Sequence, residues 1–326
     1  MTQIPAVSVM VPVYNVEPYI ERCAHSLFGQ TLGNVEYIFV NDCTQDNSMK
    51  ILSKVLDHYP NRKPRVKIID HKTNKGLASA RNTALDAASG KYLIHVDSDD
   101  WIELDMLEKL YRKACEGDYD IVWCDFYEDT LSESRRIFQS FPQHSESCIK
   151  RMMSGVMHGS NCNKMVCRSL YNDNGLRYFD GLDMWEDLAM TIRLFACADK
   201  VAYLSEACYH YIRYNPHSIM SDPDPQKVRK KMIEIITNTD HVVTFLSGRG
   251  DLGKYKREIN YMKLHAKCGL ATRDPVARRN TYPEANRFVL SCPRLNWNYK
   301  ITQWLCVRGC FFIPRLRNRL IKWIKQ

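Results

Sequence analysis

The sequence has no CxxC pair, no basic start leading into a short apolar stretch, and no uncharged apolar run of the 18 or more residues that a membrane-spanning helix needs. The first absence argues against a zinc site and the second against a secretory signal, since Met1–Pro5 carries no Lys or Arg and the first apolar run ends at Pro12. The third excludes a bilayer-crossing helix. The 13 cysteines are odd in number and scattered, as free thiols in a reducing cytosol are. Acidic residues are missing from Ala285 to Gln326, where nine Lys/Arg equal the whole net charge of +9. Residues 1–284 therefore balance near zero, and the basic excess belongs to a tail. No nucleic-acid reader motif accompanies it, so no nucleic-acid partner is expected.

What is present describes a globular protein. A chain of 326 residues with 45% hydrophobic and 25% charged content can build one large or two ordinary domains. Ala6–Val11 is a β-branched run stopped by Pro12, and a helix is expected from Glu17 to Phe28. Val35–Val40 reads as the next strand. The loop after it opens a helix with Ile51, Leu52, Val55, Leu56 and Tyr59 on one face. Val66–Ile69, an Ala-rich helix over Leu77–Ala88, and strands at Tyr92–Val96 and Ile121–Cys124 follow. Such alternation predicts an α/β fold with a mostly parallel sheet, right-handed crossovers and flanking helices. Polar clusters fall at strand carboxyl ends (Tyr14-Asn15, Asp42, Asp97/Asp99), where open sheets gather their ligands.

The stretch Gly90–Trp101, GKYLIHVDSDDW, runs from an apolar strand into Asp97, Asp99 and Asp100. An Asp-x-Asp on such a loop is a hard-oxygen site suited to Mg²⁺ or Mn²⁺ holding a phosphate. The other reading is a turn in which Asp100 caps the next helix and Glu103 completes the cap. Leu104, Leu107 and Leu110 share the helical spacing that follows.

Four blocks, VSVMVPVYN (7–15), VNDCTQDNS (40–48), NKGLASARN (74–82) and VDSDDW (96–101), occur in order. Together they resemble the signature blocks of family 2 glycosyltransferases. The resemblance implies a GT-A fold, a nucleotide-diphosphate-sugar donor (most often a UDP-sugar) and a Mn²⁺ or Mg²⁺ cofactor. It puts Pro12, Tyr14 and Asn15 at the base pocket, with Asp42 accepting from the uracil edge beside Gly76. Arg81 comes near the base or diphosphate, Asp97 and Ser98 near the ribose, and Asp99, with Asp97, on the metal. A guanidinium fork suits anionic oxygens. Tyr14 as a core residue and Arg81 as a solvated helix charge are the structural alternatives.

After Glu128 the sequence is polar and irregular to about Ser147, as an exposed excursion or acceptor-side loop would be. Lys164 reads as a surface charge, or as a contact to a donor or acceptor phosphate. Glu186 and Asp187 begin a segment with Leu188, Thr191, Ile192, Phe195 and Ala198 on one face. Acids in a first helical turn are expected on dipole grounds alone. The family carries a Glu-Asp here, and the resemblance makes Asp187 the catalytic base of an inverting transfer, with Glu186 positioning it or the acceptor. His210 and His217 are either hydrogen-bonded in place or near the metal and pyrophosphate.

Val228–Leu246 and Tyr255–Leu270 show helical periodicity without a chemical motif; they pack on the core or on a second copy of the chain as a homo-oligomer. The tail 296–326 mixes Trp297, Tyr299, Trp304, Phe311, Phe312 and Trp323 with basic residues, a composition that fits either a membrane-surface segment or a solvated tail packed on the body.

The expected organisation is a GT-A domain over 1–220, with a nucleotide-sugar half (1–115) and an acceptor half (116–220), followed by a helical extension over 221–326 with a basic amphipathic tail. The expected activity is inverting sugar transfer to a hydroxyl of a saccharide or lipid-linked saccharide, in surface or extracellular polysaccharide synthesis. The setting would be cytoplasmic, peripheral on the inner face of the membrane if the tail docks there. The rivals are a non-catalytic sugar-nucleotide-binding protein and a sugar nucleotidyltransferase. Against the latter, no glycine-rich phosphate loop precedes a Lys early in the chain.

Overall fold

The structure, a computed structural model, describes residues 4–216, 224–268, 270, 275–310 and 312. The chain divides into two compact units, Met1–Cys148 with Ser160–Pro223, and Ile149–Gly159 with Asp224–Gln326.

The first unit is built on a nine-stranded sheet. Its strands are β1 (Val7–Val13), β2 (Val35–Asn41), β3 (Val66–Asp70), β4 (Tyr92–His95), β5 (Trp101–Ile102), β6 (Ile121–Asp129), β7 (Ser134–Ile137), β8 (Lys164–Cys167) and β9 (Val201–Ile212). Their order is β3-β2-β1-β4-β8-β6-β9-β5, with β7 on β6. The β3-β2-β1-β4 half is parallel, as is the β6–β9 pair, while β5, β7 and β8 run antiparallel to their neighbours. All seven residues of β1 are buried, the signature of a parallel strand covered on both faces.

The helices of this unit are α1 (Ile20–Phe28), α2 (Ser48–Asp57), α3 (Leu77–Ala87), α4 (Met106–Gly117), α6 (Arg168–Asp173) and α7 (Glu186–Cys197), with α5 (Ser145–Met153) crossing from this unit into the other. Ile20, Cys23, Ala24, Leu27 and Phe28 give α1 one buried face, and Leu52, Val55 and Leu56 do the same for α2. Ala78, Ala80 and Ala84 are the small buried residues of α3, so its backbone can lie close to β1 and β2.

Several boundaries differ from expectation. Pro12 does not stop β1, which pairs with β2 through Pro12↔Val40 and Val13↔Asn41. The Val13 carbonyl accepts from the Asp42 N–H on the β2 side, so the neighbouring Pro12 directs its missing donor toward β4. The β1–β4 ladder has already ended at Met10↔His95, and the proline breaks no bond there. Helix α1 begins at Ile20, not Glu17. Strand β6 runs on to Asp129, and the polar stretch after it holds β7 and the start of α5. Leu104 is exposed; Met106, Leu107, Leu110 and Ala114 are what α4 buries.

The second unit is helical: α8 (Pro225–Gly248), α9 (Lys256–Ala266), α10 (Pro275–Asn280) and α11 (Trp297–Val307), with a 3₁₀ turn over Pro283–Phe288. Tyr261, Leu264, Ala285, Val289, Cys292 and Leu295 form a small apolar core. Asp224 caps α8 by accepting from the Gln226 and Lys227 N–H groups, and Asn296 caps α11 through Tyr299 N–H.

Candidate active site

The carboxyl ends of β1, β2 and β4 bring the first set of expected residues to one edge of the sheet. Pro12 is buried in β1, while Tyr14 just beyond it is 46% exposed, so Tyr14 is not core. Asn15 takes a left-handed backbone (φ 52°) and donates its N–H to Thr44 Oγ1 at 2.8 Å. Glu17 accepts from Asn47 N–H at 2.9 Å, and Asp46 from Glu17 N–H at 2.8 Å. The loops after β1 and β2 are thus tied together.

Asp42 is buried at the end of β2. Its Oδ1 accepts from His71 Nδ1 at 2.6 Å and from Lys75 N–H at 2.9 Å, and its Oδ2 accepts from Gly76 N–H at 2.9 Å. Gly76 has φ +90°, and a Cβ there would lie 2.5 Å from Asp183 Oδ2. The positive φ calls for glycine at this position, and any side chain there would also have to displace the Asp183 carboxylate.

The acidic loop after β4 is not a helix cap. Asp100 is buried and accepts from the Tyr209 hydroxyl and, at 2.8 Å, from Ile212 N–H on β9. Helix α4 starts six residues later, after Asp105. Burial, then Asp99 and Asp97, hold the Asp100 carboxyl well above the usual range. Ser98 is buried between the two outer aspartates. Asp97 Oδ2 accepts from the Cys162 thiol at 3.2 Å. Asp99 Oδ2 accepts from Asn215 Nδ2 at 2.8 Å, and burial, then the Asp97 charge, raise its carboxyl. Among the described residues no group of three His, Cys, Asp or Glu side chains converges on one point. Two carboxylates two positions apart, one of them raised by the other, are nonetheless a donor set that a Mg²⁺ or Mn²⁺ fits, because such ions take one or two carboxylates plus phosphate and water.

Arg81, deep in α3, is no solvated charge. It is buried, with Nη2 3.0 Å from Asp97 Oδ1 and 3.4 Å from Glu186 Oε1. Its guanidinium lies over the Tyr178 ring at 5.9 Å. Burial pulls Arg81 down, but Asp97 and Glu186 outweigh it and raise it well above its usual value. Arg81 Nε and Nη1 are buried without a hydrogen-bond partner. Glu186 is also buried; burial and Asp187 push its carboxyl well up, against the pull of Arg81. Trp185, with φ 61°, opens α7 without a side-chain cap. Asp187 is partly exposed, and its Oδ1 accepts from Leu188 N–H at 2.6 Å. Arg81 therefore joins the loop after β4 to the start of α7.

Sequence reasoning missed the clasp behind this joint. Asp183 Oδ1 accepts from Ala78 N–H at 2.9 Å, Asp180 Oδ1 from Ser79 Oγ at 2.8 Å, and Asn82 Oδ1 from Tyr178 N–H at 2.8 Å. These bonds fasten residues 178–183 to α3 and so set where α7 begins. Lys164 is buried, not a surface charge: its Nζ donates to Ser160 O and Asn163 Oδ1, and burial lowers it to about 8. His210 stacks between Trp101 and Tyr127 and faces Asp129 at 3.0 Å and Glu103 at 3.1 Å, which fastens β9 to β5 and β6. His217 lies outside the described residues, as do Phe311 and residues 313–326 of the tail. All thirteen cysteines are free, and no described helix is long and apolar enough to cross a membrane.

Comparisons with known proteins bear on the family and the fold. A family model described as "Glycosyl transferase family 2" matches residues 8–175. EpsH of Bacillus subtilis (strain 168), which carries a provisional glycosyltransferase name, is 34% identical over 274 residues, 80% of this chain and 75% of its own. EpsJ of the same organism, an uncharacterized glycosyltransferase, is 34% identical over 228 residues, 68% of this chain and 64% of its own. Among solved structures, S. aureus TarS 1–349 in complex with UDP-GlcNAc superposes with a TM-score of 0.62 at 18% identity, over 93% of this chain and 92% of that one. That likeness is one of fold, GT-A, with helices following the sheet domain. By its family match and its identity to EpsH, the chain is a member of glycosyl transferase family 2.

Proposed function

We propose that this glycosyltransferase is inverting and metal-dependent. It moves a sugar from a UDP-sugar to a hydroxyl of a saccharide or lipid-linked saccharide, in the synthesis of surface or extracellular polysaccharide. Residues 1–115 hold the donor, 116–220 the acceptor, and 221–326 form a helical extension whose basic tail docks on the membrane surface. The observation that carries the reading is Arg81 between Asp97 and Glu186, which brings two acidic segments about ninety residues apart into one site.

In this reading Tyr14 offers an exposed ring face to the base, and Asp42 accepts from the uracil ring N–H. Pro12 and Asn15 shape that pocket, and Gly76 lets the backbone come close. Asp97 and Ser98 face the ribose. Arg81 has two buried nitrogens lacking an acceptor, and a donor phosphate oxygen that reached them would relieve the cost of leaving them unsatisfied. Asp99, with Asp97, would hold Mn²⁺ or Mg²⁺, which when bound offsets the charge on the leaving diphosphate.

Asp187 is the base. The acceptor oxygen bonds to the anomeric carbon, the bond from that carbon to the diphosphate oxygen breaks with its electron pair leaving on UDP, and the hydroxyl proton passes to the Asp187 carboxylate. Partial exposure lets Asp187 meet the acceptor, whereas Glu186 is buried against Arg81 and orients the start of α7. The TarS complex with UDP-GlcNAc supports a UDP-sugar as donor.

The test is UDP release from UDP-sugar with an oligosaccharide acceptor, with product stereochemistry read by NMR. Asp187→Asn should lower turnover at least a thousandfold while donor affinity changes by less than about threefold. Near-normal turnover in Asp187→Asn would remove the base assignment. Pyrophosphate among the products, or no UDP from the wild type across donors, would remove the transferase reading.

A further inference from the structure

An ionised carboxylate offers about four acceptor positions, two on each oxygen. On Asp42 three are taken. Oδ1 holds both His71 Nδ1 and the Lys75 N–H, and Oδ2 holds the Gly76 N–H. One position remains, on Oδ2. His71 itself is buried and pinned at its other ring nitrogen, which lies 2.9 Å from Thr83 Oγ1 on α3. The Thr83 hydroxyl is anchored in turn to Ser79 O at 3.0 Å. The imidazole therefore bridges the end of β3 to α3 and holds the Oδ1 side of the Asp42 carboxylate.

We infer that His71 is a positioning residue: by saturating Oδ1 it leaves Asp42 a single open acceptor, so the pocket selects nucleobases that carry a ring N–H, such as uracil, over those that present a bare ring nitrogen, such as cytosine. The inference rests on the proposed reading of Asp42 as the residue that meets the base. A site built around one N–H donor rejects the analogue that lacks it, because the acceptor is then left facing another acceptor. Without His71 the carboxylate keeps only its two backbone donors, one on each oxygen. It can turn about its own bond and offer an open position on either side, and the discrimination falls.

The experiment measures UDP and CDP binding by titration calorimetry with Mn²⁺, on full-length wild type, His71→Ala, His71→Asn and His71→Gln. Asparagine can return an N–H near the Nδ1 position, and glutamine returns one near Nε2 only. His71→Ala should weaken UDP by about tenfold or more and CDP much less, so the UDP-to-CDP preference falls by a similar factor. His71→Asn should recover most of that preference and His71→Gln should not. If circular dichroism shows His71→Ala unfolded, the contrast between Asn and Gln decides. Equal weakening of UDP and CDP, or Asn and Gln variants that behave alike, overturns the inference while a discriminating wild type leaves the donor reading standing. A wild type that binds both nucleotides alike, or neither, takes down the reading of Asp42 and this inference with it.

Discussion

Asp97 and Glu186 share one guanidinium. Arg81 Nη2 stands 3.0 Å from the first and 3.4 Å from the second, and Arg81 and Glu186 are buried. Two carboxylates in such a place repel unless a cation lies between them. The identity of residue 81 therefore decides whether the loop after β4 and the start of α7 can coexist.

Replacing Arg81 by Ala should destabilise the protein by about 3–5 kcal/mol, the range for removing one partner of a buried charge network. Adding Glu186→Gln should restore part of that loss, because the uncompensated charge is then gone. Urea denaturation of the two single variants and the double variant measures the coupling. Simple additivity would show that Arg81 does not bridge the pair.

Asp99 should make metal-dependent donor binding strengthen with pH. Burial and Asp97 raise its carboxyl in the folded protein, so a proton must leave before a cation can bind. A carboxyl raised on folding contributes stability that is full below about pH 4 and lost as pH rises through its folded value. Asp99→Asn should thus raise Tm at pH 7 and leave it unchanged well below about pH 4, and should abolish stabilisation by Mn²⁺ with UDP. Thermal shift across pH reads both effects. A Mn²⁺ response that survives in Asp99→Asn would move the metal elsewhere.

Gly76→Ala should cost about 1–3 kcal/mol, because φ is +90° and the new methyl would meet the Asp183 carboxylate. Gly76→Ala with Asp183→Ser, which replaces that carboxylate by a shorter hydroxyl, should recover only the steric share. Chemical denaturation separates the two contributions.

Helix α11 exposes Trp297 (68%) and Ile301 (52%), and Arg308 lies over Trp304 at 3.6 Å. If this face docks on anionic lipid, Trp297→Ser with Ile301→Ser should lower sedimentation with phosphatidylglycerol vesicles about tenfold and leave solution turnover unchanged. Binding that is equal in the double variant would end the membrane role. These point changes leave the buried Cys292, Leu295 and Cys306 in place.

The first four parallel strands and the placement of Asp42, Asp97 and Asp99 after them were legible because each rests on local pattern: an apolar run that ends in a polar loop. The carboxyl-end rule then gathers those loops on one edge. Burial of Lys164 was not legible, since it depends on β8 running antiparallel between β4 and β6, a pairing that periodicity does not encode. Asp100 looked like a helix cap because its true donors, Tyr209 and Ile212, lie over a hundred residues away. His71 gave one signal, a lone imidazole directly after β3, and that signal acquires meaning only beside Asp42. The Asp183 cradle had none, because its partners on α3 are about a hundred residues upstream.

The seating of Asp183 on the amino end of α3 also fixes how this unit comes apart. With Asp180 and Tyr178 fastened to the same helix, loosening the 178–187 segment breaks its bonds to α3, which couples it to the strands that α3 covers. A calorimeter should record one sharp transition for the whole sheet, not two staggered ones.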